Sequence, residues 1–364
     1  MGSLRMKSEG AEMYRDKYIA STYRIKDHTD RRGYLRLDMN ENPEGLPEDF
    51  VRETVKKITP EFLASYPQKD NLLGLIAGRE GVDVQNVTLT NGSDEGMRLV
   101  FETFTHTGGR VLTVTPTFEM YQVYASMFGV ELDTVPFKED FTIETEELLG
   151  AIKEDTNLVV LLNPNSPIGT EFTEEEFERI VAKAEAVSAV VLVDEAYYPF
   201  GVESKVAYCR KHPHVMVMRT FSKWCSLAAL RVGYLIGSEE CIHLIENAQS
   251  TYNVNSVGIL FAEELLKRED ILDMLRQSME EGRNYLVSKL ESAGYSYYAA
   301  KGNYILIKPK KAPQLIAEGL KEEHILIKTY RKGMLAGWLR ITLGSRKIME
   351  RFWEGFFRME ERDS

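Results

Sequence analysis

Five short and almost uninterrupted apolar segments constrain the fold of this chain more than any other feature. They read NVTLT, RVLTVT, LVVLL, AVVLVD and HVMVMR, and they fall between residues 86 and 237 with helix-like segments between them. Strands that are apolar along their whole length are covered on both faces, and parallel strands need crossover helices. The pattern therefore predicts an α/β domain with a mostly parallel sheet between helices.

A different pattern follows residue 255. It predicts long helices over residues 256 to 293, strands at GNYILIKP, HILIKT and WLRITLG, and a last helix with Ile348, Phe352 and Phe356 packed on its own core. At 364 residues the chain exceeds the usual limit of one core, about 250 to 300 residues. We therefore predict an N-terminal arm (1–36), a large domain (37–255) and a small α+β domain (256–364).

Charge and residue usage favour a small-molecule partner. The net charge of −11 argues against nucleic-acid binding, and no apolar run reaches the length of about 20 residues that a membrane helix needs. Three cysteines without a CxxC pair, and no apolar signal segment, indicate a reducing cytoplasm. The six histidines form no HExxH motif and no ligand-spaced cluster, so no metal site is expected.

Each of the five apolar segments is followed by polar or unusual residues. These are NGSDEG, PTFEMY, NPNSPIG, the acidic end of DEAYY, and TFSK. The last of these, TFSK, lies within the segment RTFSKWCSLAALR, which begins like the end of a buried strand and continues like a helix. Open parallel sheets bind ligands at the carboxyl ends of their strands, so these residues are predicted to share one site.

The chemistry of these strand ends fits one kind of cofactor. The helix that opens at NGSDEG offers free N–H groups to a phosphate, and Phe118 offers a wall for a planar ring. Asp194 ends an apolar strand that is expected to be buried, and because an unpaired buried charge is costly it needs a cationic partner, such as a protonated ring nitrogen. Lys223 offers an amine that can capture an aldehyde as a Schiff base. Together they predict a site for pyridoxal 5′-phosphate.

The sequence resembles the fold-type I, class I/II aminotransferases, most closely the histidinol-phosphate aminotransferase branch. The similar segments, in family order from residue 37 to 346, are LDMNENPEG, SYP, NGSDEG, PTFEMY, NPNSPIG, DEAYY, RTFSKWCSLAALRVGY, YNVN, GNYIL and WLRITLG. The resemblance implies a large domain with a mostly parallel seven-stranded sheet between helices and a smaller α+β C-terminal domain.

The resemblance also implies residue roles. Lys223 would hold the cofactor and move the substrate proton, Asp194 would pair with the ring nitrogen, and Tyr197 would donate to the ring's phenolic oxygen. Phe118 would stack on the ring, and Arg340 would bind the substrate carboxylate, with Asn40 also near the substrate. The phosphate would be bound around Gly92, Ser93, Asp94, Ser222 and Arg231, with Tyr66 reaching it from the neighbouring subunit of a homodimer with shared sites.

Two positions depart from the family pattern. Ser166 stands where the family usually has an asparagine that contacts the phenolic oxygen, with Asn165 directly before it. Either the serine leaves this contact weak, or a shifted loop lets Asn165 substitute. Lys328 stands where the histidinol-phosphate branch has an arginine, and a lysine binds phosphate as a point charge without the planar fork.

The resemblance implies a transaminase, nominally exchanging the amino group of histidinol phosphate with 2-oxoglutarate. An aminotransferase for aromatic or other amino acids stays open. So does a decarboxylase of O-phosphoserine or O-phosphothreonine, because the bond that breaks is the one held perpendicular to the ring. A cofactor-binding protein without catalysis is a third possibility, which the presence of Lys223, Asp194, Tyr197 and Arg231 disfavours.

Overall fold

Twelve strands form two sheets in the part of the chain that the computed structural model describes, residues 18–19, 22 and 30–361. The predicted arm lies mostly outside these residues. The strands are β1 (Leu35–Leu37), β2 (Val87–Thr90), β3 (Arg110–Thr115), β4 (Glu131–Pro136), β5 (Thr156–Leu162), β6 (Val190–Asp194), β7 (Val215–Thr220), β8 (Gly233–Ile236), β9 (Ser296–Tyr298), β10 (Tyr304–Lys308), β11 (Ile325–Thr329) and β12 (Leu339–Thr342).

The larger sheet has seven strands in the order β2-β8-β7-β6-β5-β3-β4. Its five predicted strands are present as β2, β3, β5, β6 and β7, which confirms the α/β fold class. Only β8 runs in the direction opposite to the other six strands, with Gly233 opposite Thr220 at the end of β7. The carboxyl ends of the other strands and the start of β8 therefore share one edge.

Both faces of this sheet are buried, which explains the uninterrupted apolar runs. In β6, Val191 and Val193 pack into one hydrophobic cluster and Leu192 packs into another on the opposite face. All three side chains are fully buried. A strand in this position has no face left for polar side chains until it ends.

Helices cover the sheet on both sides and build the second domain. The helix predicted at residues 173 to 187 is present as α7, which is capped by Thr173 and Glu176 in a reciprocal capping box. The helices are α1 (Glu48–Val55), α2 (Pro60–Ala64), α3 (Asp70–Glu80), α4 (Gly92–Phe104), α5 (Met120–Phe128), α6 (Thr145–Ala151), α7 (Glu174–Ala186), α8 (Val206–Lys211), α9 (Glu239–Asn247), α10 (Ser256–Leu266), α11 (Glu269–Ser292), α12 (Pro313–Glu322) and α13 (Arg346–Glu361). No helix among the described residues is long and apolar enough to cross a membrane.

The smaller sheet has five strands in the order β1-β11-β12-β10-β9. Its first strand, β1, pairs in parallel with β11 from the far end of the chain. Helix α10 packs on α3 and α1, while α11 continues towards the last helix, α13. The predicted domain boundaries at residues 36 and 255 stay predictions. Strand β1 spans the first boundary, and α10, which begins just after the second, packs on helices of the predicted large domain.

The last helix packs as predicted. Phe352 and Phe356 of α13 are fully buried in the second hydrophobic cluster. The predicted helix after Lys223 is wrong, because only Ala228–Leu230 forms a short 3₁₀ turn. The physical reason is topological: β8 lies beside β7 and starts at the same edge, so the connection between them must stay at that edge.

Candidate active site

A cavity of about 730 Å³ opens at the carboxyl edge of the seven-stranded sheet. The β1 side of the smaller sheet and strands β11 and β12 close its other wall. Most of the residues singled out in the sequence line it, namely Asn40, Ser93, Asp94, Phe118, Ser166, Asp194, Tyr197, Ser222, Lys223, Arg231, Lys328 and Arg340. Gly92, Asn165 and Tyr66 do not line this cavity.

Lys223 lines the cavity, three residues beyond the end of β7. Its Nζ donates to the carbonyl oxygen of Met39 at 2.8 Å and lies 5.8 Å from the centre of the Tyr197 ring. Burial of the amine lowers the pKa of Lys223, and although Tyr197 opposes this shift, Arg340 adds to it. A lysine with a lowered pKa has more of its amine in the neutral form, which can accept a proton or attack a carbonyl.

Asp194 ends β6 with only 2% of its surface exposed. Its two oxygens accept from the hydroxyl of Tyr121 at 2.9 Å and from the backbone N–H of Ala196 at 3.0 Å. Burial raises the pKa of Asp194 to about 6, against the opposing effect of these hydrogen bonds. Its hydrogen-bond donors are neutral, so a cationic group in the cavity would stabilise the carboxylate.

Tyr197 shows the opposite electrostatic effect. Burial acts to raise its pKa, but the positive charges of Lys223 and Arg340 outweigh burial and lower it. Its hydroxyl accepts from Nδ2 of Asn40 at 2.9 Å. Asn40, predicted to lie near the substrate, therefore holds Tyr197, and its own backbone N–H donates to Thr342.

The first turn of α4 forms a cradle at one end of the cavity. A Cβ on Gly92 would lie 2.5 Å from Nη2 of Arg231. A Cβ on Gly233 would lie 2.7 Å from the backbone of both Gly92 and Ser93. The helix start thus approaches β8 and Arg231 more closely than a side chain at Gly92 or Gly233 would allow. Ser93 and Asp94 of this first turn line the cavity, so the positive end of the helix dipole lies at it.

Hydroxyl and guanidinium groups complete this cradle. Thr220 donates to the hydroxyl of Ser222 at 2.9 Å, and Nη1 of Arg231 donates to the same hydroxyl at 3.4 Å. Asp94 accepts from the hydroxyl of Tyr124 at 2.9 Å. The Ser222 hydroxyl, the Arg231 guanidinium and the backbone N–H groups of the first turn of α4 offer several hydrogen-bond donors to one anion, which is the donor set that a phosphate requires.

The loop after β5 settles which of its side chains faces the cavity. Asn165 donates through Nδ2 to the carbonyl of Pro116 at 2.9 Å and accepts from Thr117 at 2.8 Å, so its amide is used within the loop. Ser166 lines the cavity instead, beside the hydroxyl of Tyr197. Phe118, on the same side, is 43% exposed and meets Tyr121 edge-on, so it is not a core residue.

Two cations lie side by side on the opposite wall. Lys328 in β11 is directly opposite Arg340 in β12, and both line the cavity. Arg340 donates through Nη2 to the carbonyl of Asp38 at 2.7 Å, while its Nε is buried and has no hydrogen-bond partner within the described residues. The pair is therefore suited to binding an anionic group.

Tyr66 lies away from the cavity. Its side chain is 71% exposed and stacks on Tyr252 with 4.4 Å between ring centres. Sequence reasoning missed Tyr121 and Thr220 as site residues. Tyr121 stands in the quoted segment PTFEMY, but only the fold shows that its hydroxyl reaches Asp194, which lies 73 positions further on.

The residues present fit pyridoxal phosphate. Asp194 is a buried carboxylate that lacks a cationic hydrogen-bond partner, and the two glycines leave a cradle that a single methyl group would fill. Lys223 lines the same cavity. These are the three requirements of a ring with a basic nitrogen, a phosphate and an aldehyde.

Comparison with known proteins agrees with the site. The family model described as "Aminotransferase class I and II" matches residues 33–356. "Histidinol-phosphate aminotransferase 2" of Burkholderia pseudomallei (strain 1710b) is 33% identical over 338 residues, covering 91% of this chain and 93% of that protein. The histidinol-phosphate aminotransferase of Clostridium novyi (strain NT) is 30% identical over 320 residues, covering 86% and 88%.

Solved structures show the same fold. The histidinol-phosphate aminotransferase of Sinorhizobium meliloti, in complex with pyridoxal-5′-phosphate, has a TM-score of 0.84 at 21% identity, covering 95% of this chain and 97% of that one. Aspartate aminotransferase from Thermus thermophilus with maleate has a TM-score of 0.75 at 20% identity, covering 90% and 91%.

Fold and site together define a pyridoxal-phosphate-dependent enzyme of fold type I. The seven-stranded sheet between helices is the fold of this class, and the cavity at its carboxyl edge is lined by Lys223 after β7 and Asp194 at the end of β6. The chain belongs to the class I and II aminotransferase family, and its reaction is a transamination.

Proposed function

We propose that this enzyme transfers the amino group of histidinol phosphate to 2-oxoglutarate, forming glutamate. The pairing of Lys328 with Arg340 on neighbouring strands carries the proposal, because two cations on one wall suit a substrate phosphate in one half-reaction and a carboxylate in the other. The names of the relatives that are 30 to 33% identical support the same substrate.

Lys223 is the proposed general base. Bound pyridoxal phosphate supplies an aldehyde that condenses with amines and a ring that accepts electrons released at the substrate Cα. Lys223 removes the proton from the substrate Cα and delivers a proton to C4′, the cofactor carbon on the other side of the amino nitrogen. Its lowered pKa favours the neutral amine that this role needs.

Asp194 and Tyr197 are proposed to tune the ring electronically. Asp194 keeps the ring nitrogen protonated, because that proton gives the buried carboxylate the cationic partner that its other contacts lack. Tyr197 donates to the phenolic oxygen. In this chain Asn40 and Ser166 position its hydroxyl, while Asn165 stays within the loop.

Binding groups at either end of the site orient the ring. The first turn of α4 at Gly92, Ser93 and Asp94, together with Ser222 and Arg231, holds the phosphate, and Phe118 covers one face. Fixing the ring in this way lets one substrate bond stand perpendicular to it, and the bond held in that position is the one that breaks.

A homodimer with shared sites is part of the proposal. The stacked pair Tyr66 and Tyr252 is exposed on the chain, with 71% and 53% of their surfaces accessible. Exposed stacked aromatic rings are typical of protein interfaces, and there Tyr66 would reach the partner's phosphate. A cytoplasmic location is proposed as well, because all three cysteines are free and buried.

Transamination is favoured over the alternatives that the sequence left open. The relatives found are aminotransferases by name, and the family model is that of aminotransferases. No contact within the site specifically favours decarboxylation or an aromatic substrate.

The proposal can be tested with single half-reactions. Purified holoenzyme is mixed with histidinol phosphate, and the cofactor absorbance and the oxo product are followed together; 2-oxoglutarate should then restore the first spectrum. O-phosphoserine, O-phosphothreonine, phenylalanine and glutamate serve as comparison compounds. Carbon dioxide released in stoichiometric amount without an oxo product would contradict transamination, and a preference for phenylalanine would contradict the substrate.

A further inference from the structure

Three metal-binding side chains meet far from the active site. Glu185 lies in the last turn of α7, His212 follows α8, and His214 precedes β7. One ligand atom from each lies within 4.8 Å of the other two. No metal site was expected from the sequence, because its histidines form no HExxH motif and no ligand-spaced cluster; the fold brings Glu185 from a different helix to His212 and His214.

His214 is held in the tautomer that a metal ligand needs. Its Nε2 lies 3.2 Å from the backbone carbonyl of Val181. A carbonyl oxygen can only accept, so Nε2 carries the hydrogen, and the lone pair of the neutral ring is on Nδ1. Metal-binding histidines almost always donate their second N–H in this way to a carbonyl or carboxylate.

His212 and Glu185 are close without being bonded to each other. Nδ1 of His212 lies 3.7 Å from Oε2 of Glu185, which is too long for a hydrogen bond. Ligands about 2.1 Å from a tetrahedral zinc ion are roughly 3.4 Å from one another, so an ion fits between these two atoms after a small rotation of the carboxylate. The His212 ring is oriented by stacking on the Tyr208 ring, with 5.9 Å between the ring centres.

We propose that Glu185, His212 and His214 bind one Zn²⁺ ion. Imidazole favours zinc and its neighbours in the transition series, whereas Mg²⁺ and Ca²⁺ prefer sites made of oxygen atoms alone. Three protein ligands leave the fourth position to water, so the affinity is lower than in a closed four-ligand structural site.

The ion acts as a clamp and takes no part in the transamination. It lies at the amino end of β7, while Lys223 follows the carboxyl end, and six strand residues span about 16 Å. Its ligands connect the end of α7 to the segment between α8 and β7. Since only the folded chain brings the three ligands together, bound zinc raises the stability of the fold.

The test uses the full-length, tag-free holoenzyme in a buffer that does not chelate metals. We expect calorimetric titration to show one Zn²⁺ per chain, a raised melting temperature, and no binding of Mg²⁺. Cobalt as a probe should give visible d–d bands of an inner-sphere complex. His212→Ala, His214→Ala and Glu185→Gln should each weaken zinc binding at least about tenfold. Because Glu185 is exposed, E185Q tests the site without disturbing the core.

His106→Ala is the matched control, since it removes an exposed imidazole outside the cluster and should leave zinc affinity unchanged. Zinc binding of equal strength in wild type, E185Q and H214A would overturn the proposal. Equal loss in H106A would overturn it too, because the binding would then be non-specific. One equivalent of zinc should leave the transamination rate unchanged, and a changed rate would contradict the clamp.

Discussion

Replacing Asp194 by asparagine should change how stability depends on pH. The carboxyl is almost fully buried, and its pKa rises from 3.8 to about 6 in the fold. A shift of this size corresponds to about 3 kcal/mol, at roughly 1.36 kcal/mol per pH unit. In the cofactor-free protein this is a cost of folding at neutral pH, because the folded state must hold a buried charge.

The sign follows from proton binding. Below pH 3.8 the carboxyl is protonated in both states, and it costs nothing. Between pH 3.8 and about 6 the folded state keeps a proton that the unfolded state has lost, so this group's contribution to stability falls as the pH rises. Above pH 6 the full cost remains. Asparagine does not titrate, so D194N escapes this fall.

Urea unfolding of the cofactor-free proteins between pH 4 and 7.5, followed by circular dichroism at one chain concentration, measures the effect. We expect the stability of D194N minus that of wild type to increase by about 2 to 2.5 kcal/mol across this range, because part of the cost of about 3 kcal/mol is already present at pH 4. Glu139→Gln, at an exposed carboxyl, should show no comparable increase. With pyridoxal phosphate bound, the wild-type protein should be the more stable of the two, because the protonated ring nitrogen then supplies the missing cation beside Asp194. A flat difference without cofactor would refute the reasoning.

Three further substitutions test other parts of the account. Lys328→Arg gives the wall beside Arg340 a second planar fork, so KM for histidinol phosphate should fall severalfold with kcat little changed; an unchanged KM would contradict the assigned contact. Gly233→Ala places a methyl group 2.7 Å from the backbone of Ser93, so spectroscopic titration should show at least about tenfold weaker cofactor binding, and wild-type affinity would contradict the cradle. Arg219→Met leaves the 1%-exposed Glu195 without its partner at 2.8 Å, which should lower the free energy of unfolding by about 3 to 5 kcal/mol in urea; a loss below about 1 kcal/mol would contradict this role.

The sequence predicts those parts of the fold that burial makes visible. Strands β5 and β6 are covered on both faces, so they read as apolar runs, and Asp194 is conspicuous because it ends one of them. The edge strand β4 reads differently, since most of its residues are exposed or half-buried, and no apolar run marks it. The number of strands therefore came from the family resemblance rather than from the pattern.

Contacts between distant segments were beyond the sequence. Asn40 donates to Tyr197, which lies 157 positions away, and the pairing of β1 with β11 connects the two ends of the chain. Nothing local in either segment encodes these partners. The loop after β5 shows the same limit. Its sequence left Asn165 and Ser166 as alternatives, and only the folded loop shows that the amide of Asn165 is hydrogen-bonded to Pro116 and Thr117.

The central claim is that Lys223 carries the cofactor and the chemistry. Reduction of the holoenzyme with borohydride, followed by proteolysis and mass spectrometry, tests this most directly. In the wild-type protein we expect the peptide that contains Lys223 to carry the added mass of the reduced cofactor. In Lys223→Ala we expect the corresponding peptide to lack this added mass and the protein to lack the absorbance of the cofactor–lysine bond. Cofactor attached to a different lysine, or none attached to a yellow wild-type protein, would contradict the account.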